Sequence, residues 1–230
     1  MTRSQKIFAA KAGLVLAVPT VILAYAGGPP GKTTGAPGER VCTACHSGTL
    51  NSGGGKVAVT FADGNSSYSP GVTKRVRVQI TDSTALVYGF EMSARMAADP
   101  SKPAGTFAPS DATTKVLCED DNDRPAAGCP AAAPLEYIEH AGPFANLSTS
   151  GTYEFDWVAP AADSGSVTFF VATVAANGNR APSGDHVYIA SLTIPSPTST
   201  NAPVISDAGV VDAAGFGGSI TPGSWVSIYG

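Results

Sequence analysis

Apolar and polar residues alternate with a period of two along most of the middle of this chain. The alternation is clearest in five stretches, at residues 57–61, 76–80, 86–92, 153–157 and 186–194. A period of two places successive side chains on opposite faces of a strand, and the nearly continuous apolar run 167–176 indicates a strand buried on both faces. Turn sequences such as Asn177-Gly178-Asn179 separate the runs, and the chain is rich in Gly (26) and Pro (18). About seven or eight short strands of this kind predict an all-β fold, an antiparallel β-sandwich.

The first 26 residues have the form of an export signal. A short basic stretch precedes the apolar residues 7–26, which end in Ala24-Tyr25-Ala26, a small-x-small sequence typical of a signal-peptidase site. An uncleaved membrane anchor is the alternative, because the stretch is about long enough to span a bilayer. Lys11 and Pro19 inside it favour cleavage. We therefore predict a signal peptide over residues 1–26 and export to the periplasm or the cell surface. No stable membrane span is expected after cleavage, because no second apolar run of spanning length follows.

The charge of the chain argues against some functions. The predicted signal peptide contains three basic residues and no acidic one, so its removal changes the formal net charge from −4 to −7. An acidic body offers no electrostatic attraction to phosphate backbones, and we expect no nucleic-acid partner. No Ser-His-Asp set, nucleotide-binding loop or paired-carboxylate motif stands out, so a hydrolase or a kinase has no support.

The segment 27–55 contains Cys42-Thr43-Ala44-Cys45-His46, which has the spacing of a c-type haem attachment site. Two thiols separated by two residues can add to the two vinyl groups of one haem edge, and His46 then lies under the iron as its proximal ligand. The export signal supports this interpretation, because the attachment is made outside the cytoplasm. We predict one covalent haem c on Cys42 and Cys45, held by an irregular segment ahead of the sandwich.

Three alternatives for this motif stay open from the sequence. A redox dithiol would need a strand-to-helix junction in a βαβ unit, which the pattern does not show. A zinc site would need further ligands at matching spacing, and Cys118 and Cys129 are too far apart to form a second pair. A disulfide between Cys42 and Cys45 would close a short and strained loop.

The presence of a sixth iron ligand would favour electron transfer, and its absence would favour chemistry at an open iron position. The candidates are His140, His186, Met92 and Met96. Met92 shares a strand face with apolar neighbours and is expected in the core, and His186 is expected to cap a loop. His140 ends a strand-like run beside the Gly142-Pro143 turn, where its imidazole can reach a haem that lies across the end of the sandwich. His140 is thus the candidate distal ligand, and a hydrogen-bonded structural histidine is the alternative.

The second cysteine pair, Cys118 and Cys129, brackets the acidic sequence 119–124. An exported protein normally oxidises such a pair, and closing a loop of this length stabilises the fold by roughly 2–3 kcal/mol. The acidic residues lack the glycine and the distant glutamate of an EF-hand calcium loop. We predict a Cys118–Cys129 disulfide that closes a solvated loop.

Several short motifs in the chain resemble those of a known family. They are Thr34-Gly35-Ala36-Pro37-Gly38-Glu39 ahead of the cysteine motif, Tyr68-Ser69-Pro70-Gly71, Gly89-Phe90-Glu91, Trp157-Val158-Ala159-Pro160, and Ala176-Asn177-Gly178-Asn179 followed by Gly184-Asp185. Over residues 31–194 the chain resembles bacterial choice-of-anchor V domains, which are relatives of the Reeler domain. The resemblance implies an immunoglobulin-like β-sandwich, secreted or surface-attached, with a haem-binding motif in front of it. The family also tends to carry a histidine in the strand of His140.

The predicted organisation has five parts. They are a signal peptide (1–26), a haem-binding segment (27–55), a Reeler-like sandwich (56–194), a linker (195–203) and a C-terminal β segment (204–230). The Pro, Ser and Thr content of the linker is typical of connecting segments. From residue 201 the chain resembles the opening of a β-rich C-terminal domain found in many secreted bacterial proteins, and we expect a truncated copy of it.

Three functions compete at this point. The first is a monohaem protein that transfers electrons to an unidentified redox partner. The second is a surface interaction or adhesion module, in which the haem motif is accessory or unused and the sandwich binds a ligand. The third is haem enzymology on peroxide or small gases, which needs an open iron position. The sequence favours an electron carrier or a binding module over an enzyme.

Overall fold

The computed structural model describes residues 27–142, 144, 145, 150–195, 205, 209–215 and 219–229. The predicted signal peptide and most of the predicted linker lie outside these residues. The strands are β1 (Lys56–Phe61), β2 (Thr73–Thr81), β3 (Val87–Met96), β4 (Asp99–Pro103), β5 (Thr106–Pro109), β6 (Thr114–Cys118), β7 (Glu136–His140), β8 (Phe144–Ala145), β9 (Ser150–Val158), β10 (Val167–Ala176), β11 (His186–Ile194), β12 (Val210–Asp212) and β13 (Val226–Ile228). Among the described residues, no helix is long and apolar enough to cross a membrane.

The strands form an antiparallel sandwich, which confirms the predicted all-β fold. The smaller sheet has the order β1-β2-β9-β5, and the larger sheet has the order β11-β10-β3-β7-β6, with β4 and β8 also pairing with β3. All of these pairs are antiparallel. The hairpin of β12 and β13 forms a separate two-stranded sheet.

The core between the two sheets follows from the alternating pattern. On β2, Val76, Val78 and Ile80 are fully buried while the residues between them are exposed. Aromatic rings of the two sheets meet across the core, and the centroids of Phe90 and Phe155 are 5.7 Å apart. Leu86 opens the alternating stretch 86–92 and was expected to share the buried face of that strand. It instead precedes β3 and is 49% exposed.

The strand β10 is buried on both faces, as its continuous apolar run predicts. Its inward residues, such as Phe169 and Val171, belong to the core between the sheets. Its outward residues Ala172 and Val174 pack with Cys42 in a second apolar cluster. The segment that carries the cysteine motif therefore covers the outer face of the larger sheet, and hydrophobic burial holds it there.

Polar contacts fix the first part of the same segment on β3 and β7. Glu39 pairs with Arg95, both side chains are less than 9% exposed, and the Tyr137 hydroxyl donates to Glu39 at 2.7 Å. The backbone N–H of Thr33 donates to Glu91 at 2.8 Å. This part of the segment has little hydrophobic periodicity, and buried hydrogen bonds and an ion pair attach it to the sheet instead.

The Glu39–Arg95 pair provides a test of how the segment is held. The Glu39→Gln variant should lose about 3–5 kcal/mol of unfolding free energy, because it leaves the buried Arg95 charge without its partner. Urea unfolding followed by tryptophan fluorescence measures the loss. The matched control is Glu154→Gln, which breaks the exposed Arg77–Glu154 pair and should cost about 1 kcal/mol or less. Equal losses in the two variants would contradict the proposed anchoring.

The predicted Cys118–Cys129 disulfide is present, and its Cα atoms are 5.5 Å apart. The acidic loop that it closes is not wholly solvated, which differs from the prediction. Asp121 Oδ1 accepts a hydrogen bond from the backbone N–H of Gly31 at 2.6 Å, and Glu119 lies 3.2 Å from the Lys32 ammonium. The loop therefore provides one of the attachment points of the N-terminal segment.

Candidate functional site

The cysteine motif forms a single helical turn. Residues Cys42–Ala44 are a 3-10 helix, and the backbone N–H groups of Cys45 and His46 both donate to the Cys42 carbonyl, at 3.2 and 2.9 Å. Both cysteines are free thiols, so the structure contains no Cys42–Cys45 disulfide. In the described part of the chain, no group of three His, Cys, Asp or Glu side chains could hold a metal ion.

A cavity of about 630 Å³ lies beside this turn, at the outer face of the larger sheet. Its lining comes from the motif, from the near ends of β3, β7 and β10, and from the loop between β10 and β11. The lining includes Val41, Cys42, Cys45, His46, Val87, Gly89, Phe90, His140, Val174, Ala176, Arg180 and Asp185. A largely apolar cavity of this volume with a few convergent polar groups is typical of a cofactor site.

The two cysteines of the motif differ in environment. Cys42 is buried against β10 and Cys45 is exposed. Burial, with a smaller effect from the nearby charge of Glu91, raises the pKa of Cys42 to about 12. Cys42 is therefore a neutral thiol in the folded chain. The thiolate is the reactive form of cysteine, so burial on β10 disfavours reaction at this sulfur.

His46 is oriented by a buried carboxylate. Its Nδ1 lies 2.6 Å from Asp185 Oδ2, and the Asp185 side chain is 1% exposed. An ionised carboxylate only accepts hydrogen bonds, so the contact places the imidazole proton on Nδ1. In the neutral ring, Nε2 then keeps its lone pair, as a metal-binding histidine requires.

The β10–β11 loop that carries Asp185 is braced internally and against the motif. Asn177 and Asn179 donate side-chain hydrogen bonds to the Ser183 carbonyl at 3.1 and 2.8 Å. The backbone N–H of Ser47, which directly follows the motif, donates to the Pro182 carbonyl at 2.7 Å. The loop and the motif therefore form one unit, although they are far apart in the sequence.

His140 reaches the cavity from the sheet, at the end of β7. Its Nδ1 lies 3.1 Å from both the amide nitrogen and the carbonyl oxygen of Phe90. The imidazole packs on Gly89, where an added Cβ would lie 2.8 Å from its Cε1 atom. Residue 89 must be glycine for the ring to take this position. The cavity thus lies on the outer face of the sheet close to its end, and not across the end of the sandwich as the sequence suggested.

The other candidate ligands are placed elsewhere. Met92 is fully buried in the core between the sheets, and Met96 packs against that core. His186 points its Nδ1 at Asp82 Oδ2, at 2.7 Å, and is absent from the cavity lining. Of the four residues that the sequence singled out as a sixth ligand, His140 is the one that lines the cavity.

Sequence reasoning missed two residues of this site. Gly89 and Asp185 both lie in motifs that carry the family resemblance, but neither was assigned a role. The resemblance was the available signal for them, because nothing in the local pattern shows which histidine each one contacts.

The comparisons with known proteins return β-sandwich structures at low similarity. The reeler domain of human F-spondin shares 18% identity, with 64% of this chain and 94% of that domain covered and a TM-score of 0.42. A second structure of the Reelin-N domain of F-spondin gives 18% identity, coverages of 66% and 93%, and a TM-score of 0.41. A cohesin module of a family 33 glycoside hydrolase from Clostridium perfringens gives 12% identity, coverages of 62% and 96%, and a TM-score of 0.40. No family model and no curated protein matches the chain.

Proposed function

We propose that this protein is exported and carries one covalent haem c in the cavity, where it transfers single electrons. The observation that supports this most is the convergence of Cys42, Cys45, His46 and His140 on one largely apolar cavity. These residues come from two segments that lie about a hundred positions apart in the sequence. Their meeting is expected for a haem site, and neither a dithiol nor a structural histidine requires it.

The fit of the residues to a haem is chemical as well as spatial. The cysteines would form the two thioether bonds, and His46, with its proton held on Nδ1 by Asp185, would hold the iron through Nε2. A bound haem supplies an iron that cycles between the ferric and ferrous states. His140, in the tautomer whose Nδ1–H donates to the Phe90 carbonyl, would be the second histidine to hold the iron. If His46 and His140 both held the iron, electron transfer would be favoured over chemistry on peroxide or gases.

The export part of the proposal rests on the disulfide. Cys118 and Cys129 are bonded, and such bonds persist mainly outside the cytoplasm. The attachment of haem c takes place in the same kind of compartment, so both features agree with the predicted signal peptide.

The proposal is tested by producing the full-length protein with a c-type maturation system. We expect the purified protein to contain one haem per chain, to keep it through acid-acetone extraction, and to titrate as a single one-electron couple. The pyridine haemochrome spectrum measures the first two properties, and a potentiometric titration measures the third. Colourless protein from this system would overturn the proposal.

The second candidate is a protein-binding module, which the sequence raised as a function of the sandwich. The observation in its favour is the C-terminal segment, where Trp225 is 87% exposed and Ile228 is 63% exposed. Large apolar side chains exposed in this way often mark protein contacts. A colourless protein in the maturation experiment would make this the leading function.

A further inference from the structure

We propose that Asp185 is a positioning residue that lowers the reduction potential of the haem through His46. This inference rests on the proposed haem site and deepens it, because it identifies the group that tunes the iron. The contact that carries it is the 2.6 Å distance between His46 Nδ1 and Asp185 Oδ2.

The Asp185 carboxylate is fixed in place from both of its oxygens. While Oδ2 accepts from His46, Oδ1 accepts from the backbone N–H of Asn177 at 3.1 Å. The side chain is 1% exposed, so water does not compete for these contacts. The carboxylate therefore holds the plane of the His46 ring as well as its tautomer.

A buried carboxylate on the far nitrogen changes what the near nitrogen does. Accepting the Nδ1–H bond increases the electron density on the ring, so Nε2 becomes a stronger donor to iron. The negative charge also lies in a poorly screened interior, where it stabilises the extra positive charge of ferric iron over ferrous iron. Both effects favour the oxidised state and lower the reduction potential.

The chain contains a matched pair that can serve as a control. His186 Nδ1 lies 2.7 Å from Asp82 Oδ2, and the Asp82 side chain is also fully buried. The Tyr188 hydroxyl also donates to Asp82 Oδ2, at 2.5 Å. This second Asp–His pair has the same chemistry but is absent from the cavity lining. A substitution at Asp82 therefore reports the effect of losing a buried Asp–His contact without touching the proposed iron ligand.

The experiment compares the haem-loaded Asp185→Asn, Asp185→Glu and Asp82→Asn proteins by potentiometric titration. The Asp185→Asn change keeps the shape of the side chain and removes its charge, so we expect the ferric-to-ferrous equilibrium to shift at least tenfold toward ferrous iron. For a one-electron couple that is an increase of about 59 mV in the midpoint potential. Asp185→Glu should recover most of the wild-type potential, and Asp82→Asn should leave it unchanged.

The outcomes separate this inference from the proposed function. A wild-type protein without covalent haem would overturn the proposed function and this inference with it. If the wild type carries haem and Asp185→Asn has the same midpoint potential, this inference alone is overturned. Equal shifts of the potential in Asp185→Asn and Asp82→Asn would overturn it as well. If Asp185→Asn does not fold, Asp185→Ser takes its place, because it also removes the carboxylate. A midpoint potential raised by about 59 mV or more in that variant supports the inference, and a wild-type potential contradicts it.

Discussion

A variant in which Cys42 and Cys45 are both changed to serine should contain no covalently bound haem after expression with a c-type maturation system. Serine hydroxyls cannot form the two thioether bonds, although they occupy nearly the same space as the thiols. We expect complete loss of the haem signal on a denaturing gel and of the haem mass on the intact chain. Each single variant should keep one bond at most, and therefore a weaker signal than the wild type.

The control for this variant is the double change of Cys118 and Cys129 to serine. It also removes two sulfur atoms, but from a disulfide that is outside the cavity lining. Its expected effect is a loss of roughly 2–3 kcal/mol in unfolding free energy with haem attachment retained. Retention of covalent haem in the Cys42/Cys45 variant would show that the motif is not the attachment site.

Replacing His140 with alanine should convert the haem-loaded protein from low-spin to high-spin iron that binds CO. The reason is that His140 lines the cavity from the sheet, and its loss would remove the proposed sixth ligand. We expect near-complete conversion, seen in the absorption spectrum of the ferrous protein with and without CO. His186→Ala should leave the spectrum unchanged, because His186 pairs with Asp82 and does not line the cavity.

A second variant tests the same position without removing the histidine. In Gly89→Ala the new Cβ would lie within 3.0 Å of His140 Cε1 and of Nε2, so the ring must move. If the ring ligates iron, this methyl group alone should produce partial high-spin character. A low-spin spectrum that survives both His140→Ala and Gly89→Ala would exclude His140 as the ligand.

The sequence by itself determined the longer strands of the sandwich and the spacing of the cysteine motif. In β2, β9 and β10 successive side chains point to opposite faces of the sheet, so the pattern of apolar residues shows directly which face is buried. The continuous apolar run of β10 predicted burial on both faces, and in the structure the segment around Cys42 packs on its outer face. The spacing of the two cysteines and His46 is equally local, and one helical turn brings them together.

The short strands β4, β5 and β6 had no such pattern. Each is four or five residues long. A segment of this length carries too few alternations to stand out, and β4 contains two prolines. Their place in the sheets depends on pairing with strands that are already formed.

The site could be completed only by the tertiary structure, for a physical reason. The contacts that define it join residues that are far apart in the chain: His46 and Asp185 are separated by 139 positions, and Phe90 and His140 by 50. No local periodicity encodes such a pair. The sequence therefore determined which groups were present for the chemistry. The pairing of the strands and the packing of the N-terminal segment on the outer face decided which of these groups meet. They also decided which aspartate contacts each histidine.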